Sequence, residues 1–262
     1  MFAQQSILGR VVSQIVLAIC VVILAAPLAL IVRLSFGGEG WRNFVVIVGT
    51  TPFLRFLSNS LVIAVVTVAL VLIMAMAAAY ATSVLRPRGA SLITVLVLAG
   101  LSMPAIALAV PVFSLVQTFG LFDTYWAVII PLTALSIPFG VLVGGNYIRA
   151  IPVEIFEAAK LDGSGSFRTL VSIVVPICRP VLSVIAIFSF LAAWNEYLLP
   201  LLFLQDVDLK VVTQVPTYFQ SQRLVDTPKV FAANVLISLP IVAVYLALQR
   251  TFRRGLTGGA VK

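Results

Sequence analysis

Residue types that commonly do chemistry are scarce in this sequence. Among its 262 residues there is no histidine, and the two cysteines, Cys20 and Cys178, lie far apart in or beside apolar stretches. General acid–base catalysis and transition-metal binding need clusters of histidine, cysteine or carboxylate side chains. We find no such cluster and no pair of carboxylates within reach of each other. The sequence therefore argues against an enzyme and predicts no metal site.

One acidic residue, Glu196, is expected well inside an apolar segment. An ionisable group at that depth costs about 2.5 kcal/mol or more, so it marks a functional position by default. Its neighbours Trp194, Asn195 and Tyr197 supply donors, acceptors and aromatic rings of the kind that bind a sugar. Three roles stay open for this group of residues: solute contact, a structural or gating role, and ion coupling. The aromatic pair could instead belong to an interfacial belt.

A second polar segment covers about residues 148–179 and contains the run EAAKLDG. Pro152 suits the first turn of a short helix, and Gly163 is well placed to end it. Glu154 and Glu157 would lie near the positive end of the helix dipole. Another helical piece is expected to start at about residue 166. The segment is predicted to be helix, glycine turn and helix, whereas a simple interfacial helix would carry a strongly basic polar face.

The elements that must position these residues are membrane-spanning helices. The composition is 61% hydrophobic and only 10% charged, with a mean hydropathy of +1.16, whereas soluble domains carry about a quarter charged residues. A span needs about 20 apolar residues. We therefore predict an all-α membrane protein forming one transmembrane domain over residues 1–262, with six spans at about 12–32, 59–83, 92–116, 126–147, 180–204 and 230–248.

Charge sets the predicted orientation of these spans. With a cytoplasmic N-terminus, the inner segments carry eleven of the 17 lysines and arginines, so both termini are predicted inside. The basic residues are scattered singly, which argues against nucleic-acid binding despite the net charge of +8. The first span resembles a signal peptide in its flanks, but its apolar run exceeds the usual 7–15 residues. The outer loops are too short to form a solute-binding domain.

Prolines and glycines inside the spans bear on helix packing. Gly140 and Gly144 have the GxxxG spacing that lets two membrane helices approach closely. Prolines suggest kinked or broken helices around a cavity, although ordinary membrane helices also contain them. The prolines concerned are Pro27, Pro104, Pro111, Pro131, Pro138, Pro200 and Pro240.

The EAAKLDG run resembles the EAA loop of bacterial ABC-importer permeases, EAA-x3-G-x9-I-x-L-P. Valine replaces the usual leucine at position 175, and the matching residues are Glu157, Ala158, Ala159, Gly163, Ile173 and Pro176. In that family the loop is a coupling helix that binds a separate ATPase subunit. The resemblance assigns ATPase coupling to Glu154, Glu157, Ala158, Ala159, Leu161, Asp162 and Gly163.

The likeness extends to the carbohydrate permeases of the maltose type. The stretches GLFDTYWAVIIPLTALSIPFGVLV and WNEYLLPLLFL are similar to theirs, and the tail RGLTGGAVK resembles that of the smaller permease of the pair. This resemblance implies an ATPase-facing tail at Gly258, Gly259 and Ala260. Asp123 stands where that family more often has asparagine.

The resemblance implies a set of partners in the bacterial inner membrane. These are a second homologous permease, an ATPase dimer that binds ATP and Mg, and an extracytoplasmic solute-binding protein. No GxxxxGK(S/T) run occurs in this sequence, so the chain has no phosphate loop and no cofactor of its own. The alternatives are an ion-coupled secondary transporter, an integral-membrane enzyme, and an importer permease for an amino acid or polyamine.

Overall fold

The computed structural model describes residues 7–221 and 224–258, and the side chains of 9–221 and 224–247. Twelve α-helices are found in this part of the chain, joined by short 3-10 segments and two π-helical turns at Ala81–Leu85 and Leu170–Val174. In order, α1 to α12 are Ile7–Ser35, Arg42–Thr50, Phe53–Tyr80, Ala90–Ala99, Ala109–Thr118, Trp126–Arg149, Val153–Leu161, Ser166–Thr169, Val175–Ile177, Arg179–Trp194, Leu198–Phe203 and Thr227–Gly258.

Four of the described helical segments are long and apolar enough to cross a membrane. They are Gly9–Ser35, Phe53–Leu85, Trp126–Arg149 and Thr227–Ala247. Two further helix pairs pass the same test together but are bent, Ala90–Ser102 with Ala105–Thr118 by 101° and Ser166–Ile177 with Arg179–Trp194 by 83°. Counting each bent pair as one span gives six, the number that the sequence predicts. The second pair begins within the loop predicted at 148–179, whereas the fifth span was predicted at 180–204.

Two predicted spans are not continuous helices, and proline explains both breaks. In the third, predicted at 92–116, Met103 is extended (φ −85°, ψ 120°) before Pro104, because the residue before proline disfavours the helical conformation. In the fifth, predicted at 180–204, the helix stops at Trp194 and resumes at Leu198. Pro200 would clash there with the carbonyl of residue 196 in an uninterrupted helix.

Other prolines sit inside unbroken helices. Pro27 lies within α1, Pro131 and Pro138 within α6, and Pro240 within α12. The outer loop predicted at about 33–58 contains the short helix α2, which was not predicted from the sequence.

The chain forms two compact units, which we describe separately. The first comprises the described parts of Met1–Phe53 and Val215–Ser238. Within it, Asn43 is buried and its Nδ2 donates to the carbonyls of Ser35 (2.9 Å) and Gly37 (2.8 Å), which fixes the turn between α1 and α2. A hydrogen bond from Lys229 lowers the pKa of Asp226, whose carboxylate lies 2.6 Å from the Lys229 ammonium.

The second unit comprises Leu54–Gln214 and the described part of Leu239–Lys262, and its core lies where α3, α6 and α10 meet. A Cβ atom placed on Gly140 of α6 would lie 2.6 Å from the Cβ of Ala75 on α3. A Cβ on Gly144 would lie 3.1 Å from the Met76 sulfur. Both glycines also face Ile185 of α10. The GxxxG spacing therefore serves close helix packing, as predicted.

Candidate functional site

Helix α7 carries most of the residues predicted to couple to an ATPase. It covers Val153–Leu161, with Glu154 in the first turn and Lys160 in the last, which suits the helix dipole at both ends. Ser164 N–H donates to the Ala159 carbonyl (2.9 Å) and Gly163 N–H to the Lys160 carbonyl (3.0 Å). This pair of bonds is a Schellman motif. It places Gly163 at φ +72°, a conformation that favours glycine.

The two faces of α7 have different environments. Phe156 and Ala159 are buried, and Phe156 belongs to the same core cluster as Ile151 and Val174. The opposite face is exposed, and it includes Leu161 at 90% exposure. The exposed residues of the segment also include Val153, Glu154, Ile155, Glu157, Ala158, Lys160 and Asp162. One face thus packs against the rest of the chain, and the opposite face of α7 is exposed.

The two alanines of the EAA run, Ala158 and Ala159, were predicted to have the same role but differ in burial. Ala159 is 4% exposed, so its close packing is with this chain, whereas Ala158 is exposed. Beyond the glycine turn, the apolar side chain of Phe167 in α8 is 79% exposed. Sequence reasoning missed Phe167.

The segment after α7 links it to α10. Thr169 is buried and its hydroxyl donates to the Ser164 hydroxyl (3.0 Å). Val174 and Cys178 are fully buried and belong to the same cluster as Phe156. Because this cluster also contains Ile185 of α10, a push on α7 would reach the spans through packed side chains.

Glu196 lies in the gap between α10 and α11. Its Oε1 accepts the Leu199 N–H (3.0 Å), and its backbone carbonyl accepts the Thr213 hydroxyl (2.9 Å). The first contact caps the start of α11, where amide N–H groups lack helical partners. The geometry favours the structural role among the three that the sequence left open.

The neighbours of Glu196 are not equivalent. Trp194 is 1% exposed and stacks on Phe190, with ring centroids 5.4 Å apart, so it is a core side chain rather than part of an interfacial belt. Asn195 Nδ2 donates to the Leu191 carbonyl at 2.9 Å and thereby closes the end of α10. Tyr197 is 39% exposed, which makes it the more accessible of the two aromatic side chains in this group.

Replacing Glu196 separates capping from ion coupling. Glu196→Gln keeps an acceptor oxygen, so we expect near-normal stability and transport, while Glu196→Ala should lose about 0.5–2 kcal/mol of stability. Thermal unfolding of the purified chain and solute uptake after reconstitution measure the two effects. Loss of transport in the stable Glu196→Gln variant would contradict the capping role and favour ion coupling.

A hydrogen-bonded network near α11 was not predicted. Asp123 has a left-handed backbone (φ 59°), and its Oδ1 accepts the N–H groups of Gln205 (2.9 Å) and Asp206 (3.0 Å). Its own N–H donates to the Phe203 carbonyl at 3.0 Å. Asp123, noted in the sequence only as a departure from asparagine, therefore fastens the segment after α11 to the turn before α6.

The same segment is held from α3. Asn59 Nδ2 donates to the carbonyls of Asp208 and Lys210 (2.8 Å each), and its Oδ1 accepts the Tyr125 hydroxyl at 2.8 Å. Arg55 forms an exposed ion pair with Asp208. The network joins residues about 60 to 150 positions apart, so nothing in the local sequence could have revealed it.

A small crevice between α6 and α10 presents polar and aromatic groups together. It has a volume of about 200 Å³ and is lined by Leu135, Ser136, Phe139, Phe188, Ser189 and Ala192. The Phe139 and Phe188 rings lie 4.9 Å apart. Among the described residues, the buried Ser189 hydroxyl has no hydrogen-bond partner, which is unusual for a buried polar group.

The predicted ATPase-facing tail falls almost entirely outside the described residues. Gly258 is the last residue of α12, and Gly259 and Ala260 lie beyond the described part of the chain. Its role stays a prediction.

Comparison with known protein families identifies the family of this chain. Residues 72–258 match the family described as binding-protein-dependent transport system inner membrane component. The chain belongs to this family. It is therefore a multi-pass protein of the cytoplasmic membrane and a transport subunit, and the ABC-importer resemblance of the EAAKLDG run is confirmed at the level of the family.

Curated relatives of this transport component include several sugar permeases. The diacetylchitobiose uptake system permease protein NgcG of Streptomyces coelicolor is 31% identical over 79% of this chain and 70% of its own length. The trehalose/maltose transport system permease protein MalG of Thermococcus litoralis is 34% identical over 81% and 77%. The sulfoquinovosyl glycerol permease SmoH of Agrobacterium fabrum is 30% identical over 84% and 77%.

Solved structures show that the fold of this transport component is shared. A bacterial ABC transporter for the acidic polysaccharide alginate aligns over 93% of this chain and 94% of its own, with a TM-score of 0.73 and 16% identity. The MetNI methionine ABC transporter, in inward-facing conformations, aligns over 78% and 95%, with a TM-score of 0.60 and 18% identity.

Proposed function

We propose that this chain is one permease subunit of an ATP-driven, binding-protein-dependent importer for a sugar or sugar-like solute. The observation that carries the proposal is α7, a helix anchored on one face by Phe156 and Ala159 and exposed on the other through Glu157 and Leu161. Three exposed apolar side chains on a short, anchored helix, Val153, Ile155 and Leu161, fit a contact surface for another protein. Both termini and α7 are assigned to the cytoplasm on the balance of basic residues.

The energy source in this proposal is a separate ATPase dimer that binds ATP and Mg. This chain has no phosphate loop, so hydrolysis takes place on the partner. Closure of the ATPase dimer pushes α7, and the cluster shared by Phe156, Val174 and Ile185 passes the shift to α10. Packed elements of this kind move as rigid bodies rather than deform.

Two further partners complete the proposed machine. A second, homologous permease supplies the other half of the pathway, and an extracytoplasmic solute-binding protein captures the solute. The sugar assignment is supported by the solutes named for the relatives of this chain and by the crevice between α6 and α10. The half-buried Ser136 hydroxyl beside the rings of Phe139 and Phe188 matches the mixed polar and apolar surface of a sugar.

Purification with native partners tests the proposal. The full chain, tagged and extracted from its source membranes, is expected to co-purify with an ATPase and a second permease. After reconstitution into liposomes, uptake of labelled trehalose, maltose or diacetylchitobiose should require ATP and the binding protein. Uptake driven by an ion gradient without ATP would support the secondary transporter, and uptake of methionine alone would overturn the sugar assignment.

A further inference from the structure

A second cavity, wide open to the surface, lies at the end of α6 that leads to α7. It has a volume of about 550 Å³. Two arginines, Arg86 and Arg149, line it together with the start of α4. The remaining lining residues are Thr82, Pro87, Gly89, Ala90, Ser91, Thr94 and Val95.

A single buried residue orients both guanidinium groups. The carbonyl of Ser83 accepts the Arg86 Nε–H (3.0 Å), and its hydroxyl oxygen accepts an Arg149 Nη1–H (3.2 Å). Arg149 Nη2 also donates to Asn146 Oδ1 at 2.7 Å. An arginine has five N–H donors. These contacts therefore fix the two side chains in place and still leave most of their donors unused.

The charge of this pair is not neutralised within the described chain. Among the described residues, neither Arg86 nor Arg149 forms an ion pair with a carboxylate. Thr82 and Thr94 donate their hydroxyl hydrogens to carbonyls of their own helices. The hydroxyl of Ser91 has no partner among the described residues, so it adds a free donor beside the two cations.

The backbone at Arg86 is held in an unfavourable conformation. Arg86 has φ 45° and ψ 58°, the left-handed region that costs free energy for any residue with a side chain. A glycine would fit this turn better, yet the position carries an arginine that points to the cavity. Strain of this kind at a charged residue is a reason to look for a ligand.

The surroundings of the cavity are apolar on the side of α4. Leu92, Val95 and Leu96 are each 62–64% exposed on a helix that begins at the cavity and belongs to a candidate span. Basic cavities where a span meets its aqueous end suit an anionic headgroup whose acyl chains lie along the helix.

We propose that Arg86, Arg149 and Ser91 form a binding site for a phosphate group, occupied by the phosphodiester of an anionic phospholipid. Arginine is suited to this role because its planar fork binds phosphate oxygens in pairs. A free phosphate anion would satisfy the same donors, and the experiment below separates the two sources.

Lipid binding by the purified full chain tests this site. Native mass spectrometry and thermal unfolding in detergent are recorded while phosphatidylglycerol, phosphatidylcholine or inorganic phosphate is added. We expect Arg86→Gln with Arg149→Gln to weaken phosphatidylglycerol binding at least tenfold. Arg88→Gln is the matched control because Arg88 is exposed in the same turn but does not line the cavity, and it should bind as the parent chain does.

The variant Arg86→Gly separates an effect on lipid binding from an effect on stability. Glycine relieves the left-handed strain, so this variant should unfold at the same or a higher temperature and still bind the lipid several-fold more weakly. If millimolar phosphate displaced phosphatidylglycerol and raised the unfolding temperature of the chain equally, the site would be assigned to free phosphate. The same arginine and serine donors would then bind that anion. Equal binding by the double variant and the parent, or an equal loss in Arg88→Gln, would overturn the site.

Discussion

The variant Glu157→Lys is expected to lose at least tenfold in solute uptake and in the ATP turnover stimulated by the loaded binding protein. Glu157 is exposed on α7, so the change should leave the fold of the chain intact. In the proposed ATPase contact, the reversed charge would meet the basic groups that pair with the glutamate, and like charges placed together cost several kcal/mol. The measurements are ATP hydrolysis and uptake by the reconstituted complex, with thermal unfolding of the chain as the check on folding.

Leu161 provides an independent probe of the same contact. Its side chain is 90% exposed in this chain, and burying a leucine in an interface contributes about 1.5–3 kcal/mol. We therefore expect Leu161→Ala to weaken co-purification of the ATPase about tenfold or more. Leu54→Ala is the matched control, since Leu54 is 69% exposed at the start of α3. If stimulated turnover and assembly were unchanged in both α7 variants, the coupling assignment would be wrong.

The second large effect is expected at Gly140. Gly140→Ala should reduce the free energy of unfolding by about 1–3 kcal/mol, the usual cost of overpacking a core. The added Cβ would lie 2.6 Å from the Cβ of Ala75, a distance that forces α3 and α6 apart. Denaturant or thermal unfolding of the purified chain measures the change, and transport should fall with the folded fraction.

Removal of the opposing methyl group should restore the packing. In Ala75→Gly with Gly140→Ala, the next contacts of the new Cβ are Ile185 at 3.4 Å and Val71 at 3.7 Å, which are ordinary van der Waals distances. The two substitutions should therefore show a coupling energy in a double-mutant cycle.

Gly49, a helical glycine without close neighbours, is the control for the higher helix propensity of alanine. At Gly49 in α2 an added Cβ has no atom within 4 Å, and alanine there should stabilise the helix by about 0.5–1 kcal/mol. The close-packing role would be refuted if Gly140→Ala changed the free energy of unfolding as Gly49→Ala does. It would also be refuted if the double variant Ala75→Gly with Gly140→Ala were no more stable than the sum of the two single effects predicts.

Predictions from the sequence succeeded where neighbouring residues decide the outcome. The short helix α7 and its glycine turn follow from Pro152, Glu154 and Gly163, because caps and turns depend on residues within a few positions of each other. The EAA spacing placed the chain in its family for the same reason. The spans follow from composition, since about 20 apolar residues suffice to cross the bilayer.

What the sequence determined by itself is thus a multi-pass α-helical membrane protein with a short helix and glycine turn between its fourth and fifth spans. The tertiary structure alone decided that Ala159 packs inward while Ala158 faces out, and that Glu196 caps α11 where a continuous span was predicted. It also decided that Ser83 holds Arg86 and Arg149 at one cavity. Each of these depends on contacts between helices or on a backbone break, and the burial or hydrogen bond involved is formed only when distant segments pack together.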